Sequence, residues 1–560
     1  MADDIRADVP PEVNRRFTPE EIERMTAYGD VLDRKAGDML FREGDKQIGC
    51  YILMSGQLDI EFFENGEKTR IGWLEPGQFT GDVSIIAGQA SSVFAQMKKD
   101  GQVLHLPHDK LQRLLVEDSR LSDAFVSSFM ARRAWQRASG RSSVTVIGAP
   151  YNRETFAIRD LLTKHDLTFH FLDPDTHPLA AKALEAVDLT VEDTPVVLRG
   201  KSLRLVQPSL EDISKAFGLD LLPDGACADV LVIGAGPGGL AASVYAASEG
   251  LSVLTLDMAA PGGQAATSSK IENYLGFPTG ISGRELADRA AVQAQKFGAR
   301  IAGPVTAEAL ERVEDDYRLT LKDGRSFGAR AVVLAMGAQY RKLPIENLEF
   351  FEGRGVYYGA TPMEAQLCGD ATVAVVGAGN SAGQGAVFLS QTAAEVHVAY
   401  RRANIRDTMS EYLVRRLEET PNIHLHPNTE VTRLEGCDER LRKAELVDNA
   451  QNKRFTVDLP FLFMFIGAQP CTEWLPDSVA CDGKGFLKTG SDVTNLELVR
   501  AGWTLDRMPT RYETAWPGVY AVGDVRSGSV KRVASAVGEG SVVISDVHAA
   551  ISEKSPGEPA

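Results

Sequence analysis

The sequence predicts an α/β chain with two nucleotide-binding folds in the C-terminal half, behind a small β-roll and a small mixed domain. Three observations predict it. Glycine loops follow apolar strands twice, at Gly234-Ala235-Gly236-Pro237-Gly238-Gly239 and at Gly377-Ala378-Gly379-Asn380-Ser381-Ala382. Residues 17–139 read as short strands, with turns at Gly44-Asp45, Ser55-Gly56 and Asn65-Gly66, before a helical period sets in at Leu111, Leu114, Leu115 and Leu121. Residues 143–221 alternate strand and helix, with Thr194-Pro195 before the strand at Val196-Val197-Leu198.

Bulk properties narrow the class. At 560 residues the chain exceeds one core and divides into several domains. A net charge of -17 argues against a nucleic-acid partner, because phosphate binding needs a basic face. The apolar run from Leu459 to Ala468 is too short to span a membrane, and Met1-Ala2-Asp3-Asp4 lacks the basic and apolar parts of a secretory signal. Six cysteines are scattered without a Cys-x-x-Cys pair, which fits reduced thiols and a cytoplasmic location. His105 with His108, and His424 with His426, lack acid or cysteine partners at ligand spacing and read as ordinary loop and strand histidines, so no metal site is expected.

Each glycine loop has a physical purpose. Glycines permit the turn from strand into helix and let the backbone approach a pyrophosphate, which the helix N-terminus attracts. After the first loop a second strand ends in Asp257, about 20 positions on, the spacing of an acid on an adenosine ribose. The apolar strand through Val333-Leu334-Ala335 ends in a small-residue turn at Gly337, and another buried strand ends at Gly523-Asp524. After the second loop, Val396-His397-Val398-Ala399-Tyr400 leads to Arg401, Arg402 and Arg406. Arginines there hold a 2′-phosphate where an acid would hold a 2′-hydroxyl. Two such contacts, at roughly 1.5–3 kcal/mol each, favour NADPH by two or more powers of ten.

Together these residues resemble thioredoxin reductase of the low-molecular-weight bacterial type, over roughly residues 226–556. The resemblance rests also on Gly262-Gly263-Gln264, Glu272-Asn273-Tyr274, Phe465-Ile466-Gly467-Ala468, Lys531-Arg532-Val533-Ala534 and Gly538-Glu539-Gly540. It implies two nested Rossmann-type domains: FAD over 226–343 and 467–556, and NADPH over 344–466. It also implies a homodimer and a hinged rotation between the domains. For FAD it implies Gly234, Gly236, Pro237, Gly238, Asp257, Gly263, Gln264, Asn273, Val305, Ala335, Gly337, Gly523, Asp524, Arg532, Val533 and Ala534. For NADPH it implies Gly377, Gly379, Asn380, Ser381, Arg401, Arg402, Arg406, Ile466 and Gly467.

Residues 1–140 resemble a cyclic-nucleotide-binding domain, with 77–86 as its phosphate-binding cassette and Asp82 as the acid for the ribose. No basic residue stands near Gln89-Ala90-Ser91-Ser92, where that family places its arginine. The missing contact costs one to two powers of ten in affinity. The unit therefore reads as a degenerate roll for docking or another ligand, with a cyclic nucleotide as the alternative. Residues 141–222 resemble the thioredoxin fold, with Thr194-Pro195 as its cis-proline loop. Ala149-Pro150-Tyr151-Asn152 stands in place of the redox dithiol, so this unit reads as a docking or spacer domain.

The reductase family opens its nicotinamide domain with Cys-Ala-Thr-Cys. This chain reads Gly359-Ala360-Thr361-Pro362, so a dithiol relay there is impossible. Cys368 is too far along to substitute. Glu364 is the one candidate for the acid that follows the motif, against an exposed surface glutamate. The leading expectation is an NADPH-dependent FAD oxidoreductase passing electrons to oxygen, a quinone, a small electrophile or a redox protein. Alternatives are a thioredoxin-disulfide reductase borrowing a thiol from elsewhere, and a redox or nucleotide sensor regulated through the N-terminal domain. A ferredoxin reductase ranks lower, because 551–560 contains no aromatic residue.

Overall fold

The computed structural model describes residues 10–64, 67–140, 142–200, 202–268, 270–437 and 440–553; the expected turn at Asn65-Gly66 lies outside them. The core of the C-terminal half is a seven-stranded sheet. Arg300–Ala302, Val253–Leu256, Cys227–Ile233, Ser326–Leu334 and Val519–Ala521 run parallel, with Asp316–Leu321 and Ala307–Val313 added antiparallel at one side. Val230 to Ile233 are all buried, as a parallel strand covered on both faces requires. Helix Pro237–Ser248 follows the first glycine loop and packs along helix Val533–Glu553. The contact is close because both surfaces carry glycine: a Cβ on Gly540 would lie 2.1 Å from the Gly238 carbonyl oxygen.

The second nucleotide domain is a five-stranded parallel sheet in the order Val356–Tyr357, Phe461–Met464, Thr372–Val376, Glu395–Tyr400, Ile423–Pro427. An antiparallel sheet, Thr429–Cys437, Arg440–Asp448 and Lys453–Asp458, backs it. Its chain enters through Gln339–Tyr340 and leaves through Ala468–Gln469, which pair antiparallel.

The N-terminal roll is two sheets of three and four strands. The helical period after Leu106 resolves into two helices, His108–Glu117 and Ser119–Ser139, because Asp118 ends one and caps the next by accepting a hydrogen bond from Leu121 N–H at 3.1 Å. The following unit is a four-stranded sheet in the order Leu203–Val206, Val196–Arg199, Val144–Ile147, His170–Leu172. Helices Arg153–Lys164, Pro178–Glu185 and Leu210–Phe217 complete it, and Thr194-Pro195 is cis. Strand Leu203–Val206 was not anticipated; its alternating exposure marks an edge.

Candidate functional site

At the first loop the chain turns so tightly that a Cβ on Gly234 would lie 2.3 Å from the Ala335 carbonyl oxygen. Gly236, at the N-cap of helix Pro237–Ser248, has nothing within 4 Å of where its Cβ would be. Open space, free N–H groups and Pro237 at the helix start make a cradle that fits a pyrophosphate. Asp257 stands beside it, partly exposed, accepting hydrogen bonds from Ala235 N–H at 2.7 Å and Ala259 N–H at 2.8 Å. Burial pushes its carboxyl up, against the pull of these N–H groups. The acid that sequence spacing assigns to a ribose thus also shapes the loop.

Several of the other residues expected around FAD bond to this cradle or to the turns beside it. Val305 N–H donates to the Asp257 carbonyl at 2.8 Å, and Gly262 N–H donates to the Ala235 carbonyl at 2.7 Å. Gly263 and Gln264 open the short turn Gly263–Thr267, and the Gln264 amide donates to the Ala338 carbonyl just after Gly337. Gly523 N–H donates to Glu539 Oε2 at 2.7 Å, and Arg526 pairs with the same carboxylate. Burial raises the Asp524 carboxyl above its usual range. Arg532 stands just before helix Val533–Glu553, and Val533 and Ala534 open it. Asn273 is solvent-exposed. Glu539 and Arg526 were absent from the sequence-derived set, although Gly538-Glu539-Gly540 was the signal that could have found the first.

At the second loop, Gly377 passes so near the return strand that a Cβ would sit 2.4 Å from the Phe465 carbonyl oxygen, next to Ile466 and Gly467. Gly379 caps helix Asn380–Leu389 with open space in front, and Ser381 is exposed at its first turn. Asn380 Oδ1 accepts Ser410 N–H at 2.7 Å, fixing the next loop. Arg401 and Arg402 are exposed past the end of strand Glu395–Tyr400. Arg406 differs: it is held by Glu418 at 2.8 Å and Glu411 at 3.5 Å, so its charge is already matched.

Gly359 and Pro362 flank the start of helix Pro362–Cys368, and Gly359 packs on the first domain, its Cβ position 3.2 Å from Thr267 Cβ. Glu364 is not an exposed surface glutamate: it is 6% exposed, accepting from Thr361 N–H at 2.9 Å and from the Thr361 hydroxyl in a capping box. Its burial raises its pKa, and its observed work is to cap the helix. Cys368 is buried, its thiol pushed up to about 12. Sequence spacing paired His424 with His426; the close contact is instead between His397 Nδ1 and His426 Nε2 at 2.9 Å, on adjacent strands. Burial holds both imidazoles below their ordinary range.

In the N-terminal roll, Asp82 accepts from Ser84 N–H at 2.9 Å and pairs with Arg133 at 3.1 Å. Ala90 N–H donates to the Phe217 carbonyl at 3.1 Å, and Ser143 donates to the Ser92 carbonyl at 3.1 Å, both across to the next domain. Helix Val83–Ile86 abuts helix Gly283–Lys296 of the first nucleotide domain, whose Val292 packs on the core of the roll.

Comparison with known proteins matches this geometry. The profile of the pyridine nucleotide-disulphide oxidoreductase family matches residues 228–540, and that of the cyclic nucleotide-binding domain matches residues 32–118. Thioredoxin reductase of Bacillus subtilis is 30% identical over 325 residues, 58% of this chain and 95% of that protein. Thioredoxin reductase of Mycoplasmopsis pulmonis is 32% identical over 315 residues, 56% of this chain and 94% of that protein. Among solved structures, the T. acidophilum thioredoxin reductase superimposes with a TM-score of 0.51 at 27% identity, covering 59% of this chain and 99% of its own. The Lactococcus lactis enzyme in its FR conformation gives 0.52 at 25% identity, covering 58% and 99%. The chain belongs to the pyridine nucleotide-disulphide oxidoreductase family and is a thioredoxin reductase-like, FAD-dependent NAD(P)H oxidoreductase with an N-terminal domain of the cyclic nucleotide-binding type.

Proposed function

We propose that this chain oxidises NADPH and delivers the electrons from flavin straight to an acceptor, with no cysteine relay. One observation carries the reading: Gly359 and Pro362 occupy the two positions where the family's thiols stand. The nearest cysteine along the chain, Cys368, is buried with its thiol held protonated, so it supplies no thiolate at neutral pH. FAD, when bound, takes one hydride from NADPH and gives up two electrons to the acceptor, oxygen or a quinone taking two protons as well. The chain's own residues position the partners. The Gly234–Gly239 and Gly377–Ala382 loops cradle the two pyrophosphates, Asp257 orders the first loop, and Arg401 and Arg402 attract the 2′-phosphate. The FAD domain spans 226–343 and 467–556, the NADPH domain 344–466.

Glycine and proline in place of the two cysteines remove the side chains that would take electrons from the flavin, which supports direct delivery to oxygen, a quinone, a small electrophile or a redox protein. The likeness to thioredoxin reductases supports a homodimer, and the scattered cysteines support a cytoplasmic location. Among the described residues no helix is long and apolar enough to cross a membrane. Anaerobic reduction by NADPH, followed by mixing with oxygen, quinones and thioredoxin disulfide, tests the reading. Rapid reoxidation by a quinone or oxygen, and none by thioredoxin, is expected. Turnover of thioredoxin disulfide that disappears on replacing one of the six cysteines would overturn it in favour of a borrowed thiol.

A further inference from the structure

We infer that helix Arg153–Lys164 of the thioredoxin-like unit is a brace setting the angle between the FAD and NADPH domains, and that Phe156 is a positioning residue for hydride transfer. The inference concerns the first half-reaction alone and stands whatever the acceptor.

The two nucleotide domains meet through paired strands of two residues each, Gln339–Tyr340 and Ala468–Gln469. Two short strands side by side resist rotation poorly. Hydride transfer, by contrast, needs donor and acceptor atoms at about 3–3.5 Å, and a misplacement of about 1 Å costs on the order of a hundredfold. Something other than the hinge must hold the domains in register.

All five strands of the NADPH sheet are parallel, so Gly359, Gly377, Arg401 and Gly467 collect at one edge, where a nucleotide lies. That edge faces the FAD domain. Gly359 rests on Thr267, and Arg416, on helix Glu411–Glu419, pairs with Glu272 at 2.7 Å. The domain angle is therefore one in which the nucleotide edge of one domain meets the Gly263–Thr267 turn of the other.

Helix Arg153–Lys164 is fastened to both domains. At its N-terminal end Phe156 packs on Tyr357, ring centroids 5.3 Å apart, and the Arg440 guanidinium lies over Tyr151, 3.9 Å from the ring centroid. At its C-terminal end His165 Nε2 meets the Ala259 carbonyl at 3.0 Å, and Arg284 donates to both the Lys164 and Pro261 carbonyls. Ala259 and Pro261 lead directly into Gly262 and Gly263 of the FAD cradle. Between the two attachments runs a helix of 12 residues, about 18 Å long, which transmits displacement rather than absorbing it. The N-terminal end is where a thioredoxin fold carries its dithiol. Here Tyr151 is a buttress instead.

A reversible cross-link tests the brace. Phe156 Cβ lies 4.0 Å from where a Cβ on Gly353 would be, inside the range of a disulfide. In the Phe156→Cys/Gly353→Cys double variant, the reduced protein should show flavin reduction at saturating NADPH slowed at least tenfold, with faster amide hydrogen exchange in 339–340 and 468–469. Oxidation, verified by peptide mass mapping, should restore both, with FAD content and NADP+ affinity constant throughout. Slower flavin reduction in the cross-linked than in the reduced form would overturn the inference. Gly353 has a φ of 73°, which strains a cysteine there, so Phe156→Ala gives the same reading without it. It should slow flavin reduction and loosen the hinge strands, and Phe156→Tyr should restore both. Unchanged reduction and exchange in Phe156→Ala would end the proposal.

Discussion

At the scale of single residues, the arginines after strand Glu395–Tyr400 divide by their partners. Arg401 and Arg402 are exposed, whereas Arg406 is matched by Glu418 and Glu411. Replacing Arg401 and Arg402 by Ala should raise KM for NADPH about a hundredfold while leaving KM for NADH nearly unchanged, at roughly 1.5–3 kcal/mol per lost contact. Arg406→Ala should cost far less, and an Arg406 effect equal to the other two in steady-state assays would reverse this ranking. Gly234 is the most constrained point of the FAD cradle, with φ of 105° and the Ala335 carbonyl in the way of any side chain. Gly234→Ala should purify without yellow colour, as an absorption spectrum shows. These positions were legible because their spacing along the chain is itself the signal. Glu364 was only half legible: Thr361-Pro362-Met363-Glu364 carries the spacing of a capping box, but its burial depends on what folds over it.

At the scale of elements, periodicity located most strands and helices but not their interruptions. Asp118 breaks one helical period into two helices, because a side chain that accepts from Leu121 N–H starts a new helix as readily as it ends the old one. Leu203–Val206 escaped notice because four residues with exposed alternates carry little apolar pattern. The cassette of the N-terminal roll shows the opposite case. Its residues resemble a ligand site, yet Asp82 is paired with Arg133 and the Ala90 N–H is occupied by the Phe217 carbonyl. A cyclic phosphate would have to displace a helix C-terminus whose carbonyls repel it. Cyclic AMP and cyclic GMP should therefore leave the melting temperature and NADPH oxidation unchanged; a shift of a few degrees in Tm would show that the roll opens and binds.

At the scale of the whole molecule, three domains meet in one charged junction. Arg133 joins Asp82, and Arg137 joins both Asp166 and Asp288, at 3.1–3.5 Å, while Arg284 reaches Asp288 at 3.4 Å. Burial pushes the Asp288 carboxyl up from 3.8 to about 6 in spite of these arginines. A carboxyl raised on folding stabilises the fold below its unfolded value, and that stability is lost as pH rises through its folded value. The loss from Asp288 should fall between pH 3.8 and somewhat above 6. In Asp288→Asn, thermal unfolding should show a shallower decline of Tm across that window than the parent; an identical slope would mean that Asp166 dominates the junction.

By itself, the sequence determined both glycine loops, the arginines behind the second, the loss of both dithiols and the order of the four units. Each is written in residues close together along the chain, where turn geometry and strand period act. Only the tertiary structure decided that the acid of the roll's cassette is paired and the loop after it bonded to the next domain, that Glu364 is buried, and that one helix is fastened to both nucleotide domains. Those outcomes depend on surfaces hundreds of residues apart coming into contact, and packing between domains leaves no period in a single chain.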